Sequence, residues 1–329
     1  MFVTETPSLV QRQATRVAER SAAAAAATSA ARAASPERFS LVGPVGAPVV
    51  VVLGGISASR NVVSSAAGRG WWDDIVGNGR AIDTTCYRVL GFDFLDGGRD
   101  ASGRPRRIVT THDQARAIAQ ILRDEGIDEL HAFVGSSYGG MVALAFAELF
   151  SERLERLVII SAAHESSGMT TALRTLQRRV VELGLDTGSV TDALSIARGI
   201  AMTTYRSAAE FAERFSSIPV ATSPNDARFE VDGYLRNCGE RFAASVRPER
   251  FLALSLSADL HRVDPCAIST PCTLVAAEGD SVVPHSQMRE LADTLNGPSD
   301  LVTIPTLVGH DAFLVETSRV SSILSAALA

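Results

Sequence analysis

Three side chains of this sequence have the types and the order needed for covalent acyl chemistry: Ser137, Asp280 and His310. Residues 135–139 read GSSYG and match the pattern G-x-S-x-G around Ser137. A serine hydroxyl becomes an effective nucleophile when a neighbouring base accepts its proton, and a histidine oriented by a carboxylate is such a base. The set therefore predicts a serine that carries an acyl group as an ester.

The setting of Ser137 is typical of a nucleophile on a tight turn between a strand and a helix. Residues 130–135 predict a buried strand before it, and residues 139–149 predict an apolar helix after it. Such a turn strains the backbone, so the positions two residues away favour glycine, which Gly135 and Gly139 supply. Ser136 lacks these flanking glycines, and Ser137 is therefore the predicted nucleophile.

The acid and the base are predicted from their positions after strands. Asp280 follows a predicted strand at 272–278, and His310 follows the next one at 301–304. Parallel strands of a sheet end at one edge, so both side chains are expected beside Ser137. Glu278 is the alternative acid, although as the last strand residue it is expected to pack inside the protein.

An acyl transfer also needs donors for the negative oxygen that forms during attack. The N–H of Tyr138 lies at the predicted start of a helix, where backbone amides point outward and carry partial positive charge. The N–H of Ile56 lies in the loop after a predicted strand at 47–53, where the second donor usually occurs. We predict these two amides as the oxyanion donors, and a simple turn is the alternative reading of that loop.

The elements that must position these residues predict an α/β protein. Strands alternate with helices over 37–163 and 264–329, which indicates a mostly parallel sheet with helices on both faces, as in the α/β-hydrolase fold. Residues 164–263 read as helices without a convincing strand, and we predict a helical lid above the sheet. Residues 1–36 are rich in alanine and arginine and are predicted to form a low-complexity tail.

Composition narrows the classes of partner. The 329 residues carry a net charge of -6, which argues against nucleic acid as the main partner. No apolar run reaches the length of about 18 residues that a membrane helix needs. The four cysteines form no C-x-x-C pair, so we expect reduced thiols in a cytoplasmic protein and no metal site.

Four segments resemble the homoserine O-acyltransferases of the α/β-hydrolase superfamily: GSSYGGMVALAFA, LSIARGIAMTTYRS, FEVDGYLRNCGERF and VGHDAFLVE. The resemblance extends from Pro48 to the C-terminus. It implies that Ser137 takes an acyl group from acyl-CoA and passes it to an amino-acid hydroxyl in methionine synthesis, with no permanently bound cofactor. It also implies that Arg198 binds the acceptor's carboxylate, Asp311 its ammonium group, and that Tyr205 lines the same pocket.

One departure from the acetyl-transferring members bears on the donor. Residues 54–58 read GGISA where those members usually have H-A-L-T-G, which is similar to the branch that uses succinyl-CoA. A succinyl group brings a second carboxylate, and Arg60 is the predicted cation for it, with a solvated surface arginine as the alternative reading. A second basic cluster could contact the phosphates of CoA, or could simply be solvated: Arg99, Arg104, Arg106 and Arg107.

Several alternatives stay open at this level. Acetyl-CoA could be the donor or L-serine the acceptor, since one methylene contributes only about 1–3 kcal/mol of discrimination. An esterase or thioesterase would use the same triad, and a non-catalytic binding protein would use none of it. The family resemblance further suggests a homodimer formed through the helical insertion, with small molecules as its other partners.

Overall fold

The computed structural model describes residues 38–65 and 68–329, and the tail predicted at 1–36 lies outside these residues. Within them, seven strands form one sheet in the order β1-β5-β2-β6-β7-β10-β11, and β1 alone runs antiparallel to its neighbour. The described part of the chain holds these strands: β1 Phe39–Val42, β2 Val49–Leu53, β3 Val76–Gly77, β4 Ile82–Asp83, β5 Arg88–Phe92, β6 Ala132–Ser136, β7 Leu157–Ile160, β8 Ala221–Ser223, β9 Asp226–Arg228, β10 Cys272–Ala277 and β11 Ser299–Ile304.

Helices cover both faces of this sheet. The described residues form these α-helices: α1 Thr111–Asp124, α2 Tyr138–Phe150, α3 Gly168–Thr187, α4 Val190–Tyr205, α5 Ala208–Arg214, α6 Glu230–Ser245, α7 Pro248–Asp259, α8 His285–Thr294, α9 Ala312–Val315 and α10 Thr317–Ala327. Among the residues described, no helix combines the length and apolar character needed to cross a membrane. The predicted fold class is confirmed.

The central strands form because their side chains are apolar on both faces. In β2, Val49, Val51 and Leu53 pack into the core cluster that also holds residues of α1, α2 and α8. Val50 and Val52 point the other way, into the cluster that holds residues of α10. Side chains alternate between the two faces of a strand, so a run of valines is suited to a sheet buried on both sides.

The chain between β7 and β10 supplies the helical insertion. It contains α3 to α7, and α3 packs against α4 and α7 while α4 packs against α6. The expectation of no strand there was wrong, because β8 and β9 pair as an antiparallel hairpin. Each of these strands is only three residues long and mostly exposed, so neither an apolar run nor a clear alternation marks it in the sequence.

Two further differences concern the first part of the sheet. The sequence of residues 86–95 also predicts a strand, and the observed strand β5 is shorter, spanning Arg88–Phe92. The edge strand β1 was not predicted, because its four residues are only half-buried and a preceding low-complexity segment obscured it. Both differences lie away from the carboxyl edge of β6, β10 and β11, where the candidate site is formed.

Candidate active site

Ser137 occupies the strained turn that its sequence context predicts. It lies between the end of β6 and the start of α2, with φ 52° and ψ -122°. A positive φ is costly for a residue with a Cβ, so the surrounding structure must enforce it. The N–H of Ser137 donates to the carbonyl of Ile160 in β7 (2.9 Å), and the N–H of Gly139 donates to the carbonyl of Gly54 (2.9 Å), which holds the turn between its neighbours.

The three predicted catalytic side chains form one hydrogen-bonded chain. The hydroxyl of Ser137 lies 2.8 Å from Nε2 of His310, and Nδ1 of His310 lies 2.8 Å from Oδ2 of Asp280. The other oxygen of Asp280 accepts the N–H groups of Val282 (2.8 Å) and Val283 (2.9 Å), which fixes the carboxylate. This arrangement favours a proton on Nδ1, so that Nε2 can accept the proton of the serine hydroxyl.

The environment of His310 sets its basicity. Burial of the imidazole disfavours its charged form, but the charge and hydrogen bond of Asp280, with a smaller contribution from Asp311, outweigh burial and raise the pKa of His310 above its ordinary value. Glu278, the alternative acid, is exposed rather than packed and makes no such contact in the described structure. The geometry therefore favours Asp280 as the partner of His310.

The two predicted oxyanion donors lie beside the nucleophile. A Cβ placed on Gly55 would be 4.0 Å from the hydroxyl oxygen of Ser137, so the loop that carries Ile56 passes directly over the nucleophile. Tyr138 is the first residue of α2, and its N–H has no acceptor within the helix. Its side chain has a separate role: the buried hydroxyl lies 2.7 Å from Ser257, and burial raises the pKa of Tyr138 to about 12.

A pocket of about 230 Å³ opens over Ser137 and includes the residues predicted to bind the acceptor. Arg198 and Tyr205 line it from α4, and Asp311 lines it next to His310. The guanidinium of Arg198 lies 5.2 Å from the centre of the Tyr205 ring, and that ring lies 5.4 Å from the ring of His310. A cation and an anion thus both line one small cavity.

Arg60 does not line this pocket, contrary to the role predicted for it. Its backbone N–H donates to Oδ1 of Asp93 (2.8 Å), and its Nε lies 3.8 Å from the other oxygen of that carboxylate. Proximity in sequence to the oxyanion loop suggested the pocket, but the pairing with Asp93 holds Arg60 beside β5 instead. The basic loop at 99–107 is also outside the pocket, where Arg104 pairs with Asp186 of α3 (2.7 Å).

A different arginine lines the pocket and was missed by sequence reasoning. Arg174 of α3 enters it, with its Nε 2.6 Å from Oδ1 of Asp259 and a terminal nitrogen 2.6 Å from the hydroxyl of Ser166. Arg178 pairs with the other oxygen of Asp259 at 2.6 Å. Two cations thus share one carboxylate and leave one net positive charge, with side chains 15% exposed for Arg174 and 13% for Arg178.

Ser161 is a second pocket residue that the sequence did not reveal. It follows β7 with φ 49°, and its buried hydroxyl has no hydrogen-bond partner among the described residues. It lines the same pocket as Ser137. An unpaired buried hydroxyl costs about 1–3 kcal/mol, so this oxygen is available to a ligand that enters the pocket.

Comparison with known proteins finds a matching fold model and acyltransferase relatives. A model of the alpha/beta hydrolase fold matches residues 48–317. The homoserine O-succinyltransferase of Xanthomonas campestris pv. campestris is 42% identical over 88% of this chain and 78% of its own length. The homoserine O-acetyltransferase of Thermobifida fusca is 31% identical over 85% of this chain and 84% of its own length.

Two further similarities extend the range of activities among the relatives. A serine O-succinyltransferase of Stenotrophomonas maltophilia is 28% identical over 82% of this chain and 84% of its own length. Among solved structures, the esterase E22 superposes with a TM-score of 0.79 at 20% identity, covering 88% of this chain and 93% of that one. At that identity the structural likeness concerns the fold alone.

The geometry predicts how acylation of Ser137 depends on pH. His310 accepts a proton only when it is neutral, so the rate of Ser137 labelling by a fluorophosphonate should rise with pH, with a midpoint above 6.5. Asp280→Asn removes the charge that opposes the effect of burial, and should lower this midpoint and slow labelling by about 10⁴-fold. The exposed Glu278→Gln serves as the matched control and should label at the wild-type rate; equal labelling of both variants would remove Asp280 from the triad.

Proposed function

Because the chain belongs to the homoserine O-acyltransferase family of the α/β-hydrolase fold, we propose that it transfers a succinyl group from succinyl-CoA to the hydroxyl of L-homoserine. The observation that carries this proposal is the pocket over Ser137, which is lined by the cations Arg174 and Arg198 and by the anion Asp311. A donor with a free carboxylate and a zwitterionic acceptor match these charges. The reaction would serve methionine biosynthesis in the cytoplasm.

In the first half of the reaction, His310 takes the proton of Ser137 while the serine oxygen attacks the thioester carbon. The negative oxygen that forms is stabilised by the N–H groups of Ile56 and Tyr138. The C–S bond then breaks, the proton on His310 passes to the sulfur, and CoA leaves as a thiol. An ester between Ser137 and the succinyl group remains, and no cofactor is consumed.

In the second half, the hydroxyl of the acceptor takes the place of the departed thiol. His310 removes its proton, the hydroxyl oxygen attacks the ester carbon, and the same amides hold the negative oxygen. The C–O bond to Ser137 breaks, and the serine oxygen regains a proton from His310. Water could attack in the same way, so transfer depends on a pocket that holds the acceptor hydroxyl nearer to the ester than water.

Arg174 supports succinyl over acetyl as the transferred group. Removing a carboxylate from water is costly unless it meets a cation and hydrogen-bond donors. The site formed by Arg174, Arg178 and Asp259 retains one positive charge, and the free hydroxyl of Ser161 lies in the same pocket. An acetyl group would leave this charge without a partner.

Arg198 and Asp311 support an amino acid as the acceptor. A guanidinium binds a carboxylate through two parallel hydrogen bonds, and a carboxylate binds an ammonium group. Both side chains line the pocket that also contains Ser137. A simple esterase needs neither charge. Serine, one methylene shorter than homoserine, would fit the same pair of charges and is the closest alternative acceptor.

We also propose that the chain forms a homodimer through the lid. Several large apolar side chains of the lid are exposed, among them Ile196 (56%), Ile218 (72%) and Val220 (69%). Ile196 of α4 and Val220, beside β8, border one groove of the lid. Exposed apolar surface of this kind is typical of a protein interface.

Sedimentation equilibrium tests the dimer. The wild-type chain should sediment as a dimer of 34.8 kDa subunits, and Ile196→Asp should sediment as a monomer because a charge in the buried centre of an interface is costly. A matched Leu307→Asp change, at an exposed residue outside the lid (54%), should leave the dimer intact. A wild-type monomer at micromolar concentration would contradict the proposal.

The proposed reaction is tested by thiol release. Succinyl-CoA with L-homoserine should give sustained release, and omitting the acceptor should leave a single burst of about one thiol per subunit. Ser137→Ala should abolish both phases, because no acyl ester can form. Sustained release without acceptor would identify a thioesterase, while faster turnover with acetyl-CoA or L-serine would change the assigned donor or acceptor.

Paired arginine variants test the donor assignment. Arg174→Gln should lower kcat/KM for succinyl-CoA by about 100-fold, equivalent to about 2.7 kcal/mol, because the succinyl carboxylate loses its cation. Turnover of acetyl-CoA should change by less than about 3-fold, which corresponds to under 1 kcal/mol. Arg60→Gln is the matched control and should leave the donor preference unchanged. A loss confined to Arg60→Gln would return the role to that residue.

A further inference from the structure

The junction between α4 and α5 of the lid is joined to both loops that carry the predicted acid and base. The hydroxyl of Ser281, next to Asp280, donates to the carbonyl of Thr204 (2.9 Å). The N–H of Ser207 donates to the carbonyl of Val308 (3.1 Å), and the N–H of Asp311 donates to the carbonyl of Tyr205 (3.3 Å). This part of the lid therefore braces the catalytic loops.

Arg206 adds an electrostatic link at the same junction. Its Nε lies 3.3 Å from Oδ2 of Asp311, and one terminal nitrogen lies 3.5 Å from the carboxylate of Glu210. The side chain of Arg206 is 20% exposed, that of Asp311 10% and that of Glu210 12%. Glu210 is held from its other side by Arg214 (2.7 Å), whose guanidinium lies 4.7 Å from the centre of the Tyr234 ring. Arg206 is thus held between two carboxylates.

The contact between Arg206 and Asp311 leaves room for another cation. Nε of Arg206 is buried and lies at ion-pair distance, but its N–H is not aimed at the carboxylate and makes no hydrogen bond among the described residues. A carboxylate has about four acceptor positions, so Asp311 keeps free positions on its pocket side. An ammonium group that enters the pocket can occupy them while Arg206 stays in place.

We propose that Arg206 is a positioning residue that holds the carboxylate of Asp311 in the orientation that receives the ammonium group of the acceptor. The inference rests on the proposed function, since it assigns Arg206 to the acceptor half of that reaction. Without Arg206, the Asp311 carboxylate is no longer fixed in the orientation that receives the ammonium group, and acceptor binding weakens. The donor half, which uses no ammonium group, does not depend on this orientation.

A second consequence concerns His310. The charged and titratable groups that act on it are Asp280 and Asp311 from the catalytic loops, Arg174 from α3 and Tyr205 from α4. The carboxylate of Asp311 stabilises the protonated imidazole, and Arg206 partly neutralises that carboxylate. Loss of Arg206 therefore leaves the charge of Asp311 less neutralised, so that Asp311 raises the pKa of His310 further. The pH midpoint of Ser137 acylation then moves upward.

Steady-state and burst kinetics of the full chain test this role. Arg206→Gln should raise KM for L-homoserine at least about 10-fold, a cost of about 1.4 kcal/mol, with little change in the burst of thiol release from succinyl-CoA. Arg206→Lys keeps the charge and should restore part of the loss. Arg262→Gln, an exposed arginine (81%) paired with Glu165, is the matched control and should match the wild type.

The Asp311→Asn background separates positioning from a scaffold role. With no carboxylate to orient, Arg206→Gln should add less than about 3-fold to KM and should no longer raise the pH midpoint of fluorophosphonate labelling. Equal losses in both half-reactions at unchanged homoserine KM, with a lowered Tm, would overturn the proposal and leave Arg206 as a lid support. If the wild type itself shows no homoserine-dependent turnover, the proposed function has failed instead.

Discussion

The strained turn at Ser137 is the constraint on which the rest of the site depends. Its φ of 52° raises the nucleophile above the sheet edge. Because Ser137 lies between β6 and α2, the N–H of Tyr138 comes within reach of the carbonyl oxygen of the acyl group that Ser137 attacks. The turn is stable because β7 and the loop after β2 hydrogen-bond to it from both sides. The strained turn therefore depends on the parallel sheet for its stability. The same sheet brings Asp280 and His310 to the edge at which Ser137 lies.

Charge in the pocket is the second constraint, and the lid supplies much of it. Arg174 and Arg198 come from α3 and α4, and Asp311 is held by Arg206 from the start of the α4–α5 junction. Buried charges are tolerated when each has a partner, and Asp259 is the partner of both Arg174 and Arg178. The core supplies the triad, and in the proposed reaction the lid arginines together with Asp311 of the core select donor and acceptor.

The sequence was sufficient for the residues whose roles are set by local pattern. Gly135 and Gly139 around Ser137, and the placement of Asp280 and His310 after strands, were enough to predict a triad whose members the structure brings within hydrogen-bond distance. Arg174 could not be found in this way, because its stretch LRTLQRR is typical of a solvated helix face and its partner Asp259 lies 85 positions away. Arg60 was placed wrongly for the complementary reason: nearness in sequence to the oxyanion loop did not reveal the pairing with Asp93.

The bracing of both catalytic loops by the lid bears on why transfer can exceed hydrolysis. In a plain hydrolase a lid needs only to cover the site, since water reaches the ester without being oriented. Here Thr204, Tyr205 and Ser207 bond to the loops of Asp280 and His310, so the elements proposed to bind the acceptor and those proposed to activate it are fixed to one another. In the proposed reaction, an acceptor held by Arg198 and Asp311 therefore meets His310 at a set distance. Water gains nothing from that arrangement, and the advantage of the acceptor is one of position rather than of reactivity.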